Sequence, residues 1–114
     1  MKDFPEFMKS GKNRIPGSQQ NTPDIEGYWY EGADGSQMAF WTCRADRTSR
    51  THTHDFDEYL VCVEGCYTAY VNGVEHVLHP GDELFIPKGA EQWGRCTAGT
   101  RTIHCFGGRR ITGS

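Results

Sequence analysis

The sequence has no long apolar run, no excess of positive charge and no Cys-x-x-Cys pair. A membrane-spanning helix needs roughly 18 consecutive apolar residues, and no stretch of this chain approaches that length. Lys and Arg number 12 against 15 Asp and Glu, a net charge of −3. The chain therefore lacks the basic surface of proteins that bind nucleic acids or anionic membranes. We expect a small-molecule ligand and a second copy of the chain as partners, with no nucleic acid and no membrane.

The cysteines form an odd set of five: Cys43, Cys62, Cys66, Cys96 and Cys105. Their spacing indicates neither a disulfide framework nor a cysteine zinc site. We expect reduced, mostly buried thiols that pack as small apolar side chains. The first residues also lack the apolar stretch of a secretory signal. Together these observations predict a cytoplasmic protein.

What the sequence does contain is glycine and aromatic residues in a short chain. Its 114 residues are enough for one domain, and 14 Gly, 5 Pro and 6 Phe favour short strands and turns. Asn72-Gly73 is the strongest hairpin signal, because both central residues of a type I′ turn need positive φ. Expected strands cover residues 27–31, 37–43, 58–63, 66–71, 74–78, 83–86, 92–97 and 100–106. This pattern predicts an all-β antiparallel sandwich or small barrel.

Residues 1–23 differ from the rest, because they are rich in polar residues and interrupted by Pro and Gly. We interpret residues 1–23 as an N-terminal arm, either mobile or docked on a neighbouring molecule. Residues 24–114 are then a single barrel domain. The aromatic hairpin that follows the arm, residues 27–43, favours a homodimer.

The segment Thr51-His52-Thr53-His54-Asp55-Phe56-Asp57-Glu58 carries side chains with metal chemistry. On a strand, positions i and i+2 point to the same face, so His52 and His54 present two imidazoles to one cavity. Glu58 begins the next strand and adds a carboxylate ligand. This facial set binds divalent Fe, Mn, Ni, Co or Zn and leaves positions open for substrate. The alternative for such a histidine pair is a solvated loop.

The spacing resembles the cupin family over about residues 36–106. Two motifs carry the resemblance: His52-x-His54-x(3)-Glu58-x(6)-Gly65 and Gly81-x(5)-Pro87-x-Gly89. The resemblance implies a double-stranded β-helix, the jelly-roll or cupin barrel, around a divalent metal.

Three positions depart from the family pattern. Asp46 stands where the first motif opens with Gly, Gln92 where the second motif has His, and Cys96 where it has Asn. Some cupins use Gln among their ligands. The resemblance therefore implies four metal ligands: His52, His54, Glu58 and Gln92. His104, on the last strand, is a second candidate for the missing imidazole, and a cupin without metal is the remaining alternative.

We expect a small divalent-metal-dependent enzyme that acts on a small, oxygen-rich molecule. A metal polarises a carbonyl or enediolate oxygen, or binds O2 beside a chelating substrate. If substrate displaces Glu58 from the metal, Glu58 is the catalytic base of an isomerase or lyase. Dioxygenase chemistry is the other interpretation of the enzyme. The alternatives are a non-catalytic module that binds a small ligand or metal, and a structural dimer with a vestigial cavity.

Other residues are assigned by strand alternation and context. Two histidines and three arginines are expected to face away from the cavity: His76, His79, Arg44, Arg95 and Arg101. If one of these arginines pointed inward, it would bind a substrate carboxylate. Six aromatic residues are expected in the core or at a dimer contact, with a pocket wall as the alternative: Tyr28, Trp29, Tyr30, Phe40, Trp41 and Trp93.

Overall fold

The computed structural model describes residues 3–112, which form nine strands in two antiparallel sheets. The strands are β1 (Ile25–Glu31), β2 (Gln37–Cys43), β3 (Arg47–Thr48), β4 (Glu58–Glu64), β5 (Tyr67–Val71), β6 (Val74–Leu78), β7 (Glu83–Ile86), β8 (Gln92–Cys96) and β9 (Arg101–Phe106). One sheet has the order β1-β2-β9-β4-β7 and the other β3-β8-β5-β6. Short 3-10 helices occupy Glu6–Met8 and Gly17–Gln19. Among residues 3–112, no helix has the length and hydropathy that crossing a membrane requires.

The predicted all-β jelly roll is confirmed, and each expected strand is found within two residues of its expected ends. The hairpin between β5 and β6 turns at Asn72 and Gly73, with φ of 49° and 81°. These are the left-handed values that a type I′ turn needs. The sequence does not predict β3, because two residues are too few to show an alternation.

Strand β4 shows how one sheet faces both the interior and the surface. Glu58, Leu60 and Cys62 are buried, whereas Tyr59 and Val63 are exposed, as period-2 alternation predicts. The buried apolar side chains join a cluster between the sheets: Leu60, Cys62, Ala69, Val71, Leu78, Ile86 and Ala90. Full burial of one such Leu stabilises the fold by about 1.5–3 kcal/mol. This cluster supports the β4 wall on which Glu58 lies.

The N-terminal segment packs along β1 of its own chain. The Ile15 N–H donates to the Gly27 carbonyl at 2.9 Å, and the Ile15 side chain is buried. Phe4 packs edge-on against Tyr28, with ring centroids 5.3 Å apart. Phe4 and Ile15 of this segment are therefore docked on the barrel of their own chain. The division between arm and barrel domain stays a prediction.

The expectation that all cysteines are reduced is wrong. Cys43 at the end of β2 and Cys96 at the end of β8 form a disulfide that joins the two sheets. Spacing does not reveal this pair, because 53 positions separate the partners. Among the described cysteines, Cys62, Cys66 and Cys105 are free thiols. Disulfides persist in oxidising compartments, so the pairing removes one observation behind the cytoplasmic prediction.

Candidate metal centre

A cavity of about 80 Å³ lies between the sheets. Its wall includes the four side chains that the motifs single out: His52, His54, Glu58 and Gln92. An outer vestibule of about 410 Å³ shares four lining residues with it: Asn21, His52, His54 and Arg110. The inner cavity has room for a few water-sized groups. The polar end of a small ligand therefore fits inside, with its remainder in the vestibule.

Backbone pairing places His52 opposite Gln92. The His52 N–H donates to the Gln92 carbonyl at 2.8 Å, and the Gln92 N–H donates back at 2.9 Å. Directly opposed residues share a face of the pair, so both side chains reach the cavity. The His52 Nδ1–H donates to the Arg50 carbonyl at 2.9 Å. This leaves a lone pair on Nε2 of the neutral ring, which is the usual arrangement of a metal-ligating histidine.

His54 completes the imidazole pair. Its ring centroid lies 4.8 Å from that of His52, and its other side stacks on Phe56 at 4.9 Å. Desolvation lowers the pKa of His52, and it lowers the pKa of His54 to about 4. Both rings are therefore neutral at neutral pH. Neutral imidazole is the form that binds metals, so neither ring has to lose a proton first.

Glu58 is a buried carboxylate on the same wall, with 3% of its surface exposed. His104 Nδ1 donates to its Oε2 at 2.7 Å, and Gln92 Nε2 donates to its Oε1 at 3.1 Å. Burial alone would raise the pKa of Glu58. The hydrogen bond from His104, with smaller contributions from His54 and Gln92, outweighs burial and lowers the pKa. Glu58 is therefore ionised in the folded protein.

The structure brings His104 into the cavity from β9. Its Nδ1 contacts Glu58, and its Nε2 accepts a hydrogen bond from the Thr102 hydroxyl at 3.1 Å. The rings of Trp41 and Tyr67 enclose the imidazole, with centroids 4.8 and 5.8 Å away. Both ring nitrogens are engaged, so in this arrangement His104 orients Glu58 rather than offering a free lone pair.

The donor types fit a divalent cation, and one pair of donor atoms has suitable spacing. His54 Nε2 lies 3.7 Å from Glu58 Oε1, close to the separation of about 3.4 Å between two tetrahedral ligands at about 2.1 Å from one ion. Residues 3–112 nevertheless contain no group of three His, Cys, Asp or Glu side chains arranged to hold a metal. Glu58 is bonded to His104 and Gln92 instead. The residue types and the distance between His54 Nε2 and Glu58 Oε1 suit a divalent metal. A third ligand is not in position to bind the same ion.

Sequence reasoning missed Arg110, which lies in residues 107–112, here named the strap. Arg110 lines both the cavity and the vestibule. Its guanidinium carbon lies 5.1 Å from the ring centroid of Trp41 and 5.5 Å from that of Phe106. The sequence does contain one signal that the strap packs on the barrel: Ile111 is an apolar residue in an otherwise polar tail. In the structure Ile111 is buried.

The side chains assigned to the surface lie outside the cavity lining: His76, His79, Arg44, Arg95 and Arg101. Arg44 forms an ion pair with Glu26, and the Arg101 guanidinium packs over the ring of Phe4. Of the six aromatic residues considered for the pocket wall, the lining includes Trp41.

Comparison with known proteins identifies the family. A family model described as "Cupin domain" matches residues 39–106, whereas no curated protein matches the sequence. KdgF from Halomonas sp. is similar in structure, with a TM-score of 0.70 and 16% identity over 83% of this chain and 92% of that one. An RmlC-like cupin from Shewanella frigidimarina has a TM-score of 0.72 and 19% identity, covering 91% and 86%.

A third similar structure is salicylate 1,2-dioxygenase from Pseudoaminobacter salicylatoxidans as an adduct with gentisate. Its TM-score is 0.68 at 15% identity, over 74% of this chain and 25% of that chain. At such identities the three structures show a shared fold. The family model spans more than half of the sequence and agrees with the two-sheet barrel and both motifs. The chain belongs to the cupin family.

Proposed function

We propose that this cupin is a divalent-metal-dependent enzyme that acts on a small, oxygen-rich molecule. The observation that carries the proposal is a single cavity wall bearing two neutral imidazoles, an ionised carboxylate and an amide. Cupins commonly bind divalent metals. The proposed ligands are the four residues of that wall: His52, His54, Glu58 and Gln92.

Glu58 is the proposed catalytic base. The chemistry that a divalent ion supplies at this wall is polarisation of a substrate oxygen. Glu58 Oε2 is held by His104, whereas Oε1 is held by the longer bond from Gln92. If substrate took the place of Glu58 on such an ion, Oε1 would be the atom that accepts a proton from a carbon beside a carbonyl. His104 and Thr102 keep the carboxylate oriented while it does so.

This placement of a base favours isomerase or lyase chemistry over dioxygenase chemistry. Proton transfer needs an oriented, ionised carboxylate at the cavity wall, and Glu58 meets that requirement. The dioxygenase interpretation rests on the shared fold alone. A second candidate function is a non-catalytic module that binds a small ligand or metal. It is favoured by the finding that the described residues do not form a closed three-ligand group.

The proposal is tested by elemental analysis of protein purified without chelators, followed by melting with added Fe, Mn, Ni, Co or Zn. We expect metal in the wild type and its loss in His52→Ala. His76→Ala is the matched control, because that imidazole lies on β6 outside the cavity lining. At a metal concentration 100 times Kd, binding stabilises the fold by about 2.7 kcal/mol. Equal metal content in wild type and His52→Ala, with no rise in Tm, contradicts the proposal.

We also propose a homodimer formed through the outer face of the five-stranded sheet. A row of side chains crosses its strands in register: Tyr30, Met38, Cys105, Tyr59 and Phe85. Phe85 is 61% exposed, and contiguous exposed apolar side chains of this kind are typical of protein contacts. Light scattering at micromolar concentration should give twice the chain mass. Phe85→Glu should give the chain mass, and a monomeric wild type contradicts the proposal.

A further inference from the structure

Arg110 is a charged side chain at the junction of the cavity and the vestibule, and its guanidinium is largely buried. Its Nη1 is buried without a hydrogen-bond partner among residues 3–112. Within that same part of the chain, no carboxylate forms an ion pair with Arg110. Glu58 is the acidic group whose charge acts on it, but that carboxylate is bonded to His104 and Gln92.

A buried charge is normally paired, because leaving it unpaired costs much of its hydration free energy. Burial lowers the pKa of Arg110, yet a guanidinium keeps its proton in proteins. The charge therefore persists in the cavity. An unpaired buried cation that lines a cavity favours an anionic ligand.

The strap holds Arg110 in place on both sides. Gln37 Oε1 accepts hydrogen bonds from the backbone N–H groups of Arg110 and Ile111, at 3.0 and 2.8 Å. Gln37 Nε2 donates to the Ile111 carbonyl at 2.7 Å, and the Gly107 N–H donates to the Asp57 carbonyl at 2.8 Å. The backbone at Arg110 is thus fixed before any ligand arrives and its guanidinium packs on Trp41 and Phe106, which lowers the entropy lost on binding.

The surrounding charge has the same sign. Arg50, Arg109 and Arg110 line the vestibule, and the acidic side chain in that lining is Asp55. Asp55 forms an ion pair with Lys88 at 3.3 Å. Arg109 in turn forms an ion pair with Glu31 at 3.4 Å. Arg50 and Arg110 therefore make the vestibule cationic although the whole chain has a net charge of −3, and such a field draws anions inward.

We infer that the ligand of this cavity is a small carboxylic acid whose carboxylate is bound by Arg110. A guanidinium binds a planar carboxylate through two parallel hydrogen bonds. Trp41 and Phe106 pack against the guanidinium, and a carboxylate is smaller than a phosphate and therefore suits the inner cavity of about 80 Å³ better. The inference rests on the proposed function and narrows its substrate to an oxygen-rich acid, with the carboxylate at Arg110 and its further oxygens toward the wall of Glu58.

The test is a binding screen that needs no turnover. A panel of small carboxylic acids, each beside its neutral amide and a phosphate monoester of similar size, is titrated by calorimetry into wild type, Arg110→Gln and Arg110→Lys. Arg95→Gln is the matched control, because Arg95 is exposed outside the cavity lining. Circular dichroism and Tm establish that each variant is folded.

We expect at least one acid to bind the wild type and its amide to bind at least about tenfold more weakly. Arg110→Gln should weaken the acid by about tenfold or more, since hydrogen bonds to charged groups are lost. The affinity of Arg110→Lys for the acid should lie between those of the wild type and Arg110→Gln. The affinity of Arg95→Gln should equal that of the wild type. The inference is overturned if no acid binds, if amides or phosphates bind as tightly, or if Arg110→Gln binds the acid unchanged.

The same titrations in His52→Ala separate this inference from the proposed metal centre. If acids bind His52→Ala, which is expected to lose the metal, in a manner that still depends on Arg110, the anion site stands without the metal. If the wild type itself binds no metal, the metalloenzyme proposal falls. If the wild type binds metal but acid binding does not depend on Arg110, the metalloenzyme proposal stands and the anion site falls.

Discussion

Replacing Gln37 with Ala should release the strap without removing any side chain from the cavity wall. The side chain of Gln37 bonds the N–H and the C=O of Ile111 and the N–H of Arg110. Ile111 is 1% exposed, so its two backbone groups lose their partners in a buried place. A buried unpaired group costs about 1–3 kcal/mol, and we expect a total loss of about 2–4 kcal/mol.

The assay combines urea denaturation with limited trypsin digestion. Loosening of the strap exposes the peptide bonds after Arg109 and Arg110, so Gln37→Ala should lose its C-terminal residues faster than the wild type. Gln19→Ala is the graded control: Gln19 makes two bonds to Thr112 at the exposed end of the strap. There water replaces the lost partner, and the expected loss is below about 1 kcal/mol. An unchanged urea midpoint and digestion rate in Gln37→Ala would refute this account of the strap.

Three further predictions concern the disulfide, the packing of β8 and the orientation of Glu58. Reduction of the Cys43–Cys96 disulfide should lower the free energy of unfolding by about 2–4 kcal/mol, because the bond closes a loop across 53 positions. The double variant Cys43→Ser and Cys96→Ser should have the same effect. Equal urea midpoints with and without reductant would contradict this prediction. Gly94→Ala should lower stability by about 1–3 kcal/mol, because its Cβ would overlap the Tyr67 hydroxyl. Gly11→Ala, where a Cβ meets open space, should leave the melting temperature near that of the wild type, and equal Tm values in the two variants would refute the overlap. His104→Phe removes the donor to Glu58 Oε2, so the pKa of Glu58 should rise. Infrared titration of the carboxylate band measures this pKa. An unchanged pKa would contradict the role of His104 in orienting Glu58.

The parts of the site that could be predicted from the sequence depend on local spacing. His52 and His54 lie two positions apart, and extended-chain geometry predicts both on one face. The structure has them between β3 and β4, with His52 in an isolated bridge to Gln92. Glu58 follows His54 four residues later at the start of β4, where alternation turns it inward. Local hairpin signals such as Asn72-Gly73 predicted the strands in the same way. The fold class therefore followed from residues that are near one another in the chain.

The remaining features depend on contacts between distant segments. His104 reaches Glu58 because β9 pairs with β4, and its inward direction depends on that register. Arg110 enters the cavity because Gln37, more than 70 residues earlier, bonds the strap. The partner of Cys43 depends on how the two sheets meet. Neither composition nor periodicity contains this information, because each depends on tertiary packing.

We propose that His52 and His54 ligate one divalent ion in this cavity. This claim is tested most directly by the crystal structure of the protein grown with Co²⁺, with anomalous data collected at the metal edge. We predict one anomalous peak at about 2.0–2.2 Å from a nitrogen of each ring, with a Glu58 oxygen or the Gln92 carbonyl oxygen as a further ligand. A Co²⁺ peak bound elsewhere on the protein, or an empty cavity with Glu58 still bonded to His104, would contradict the claim.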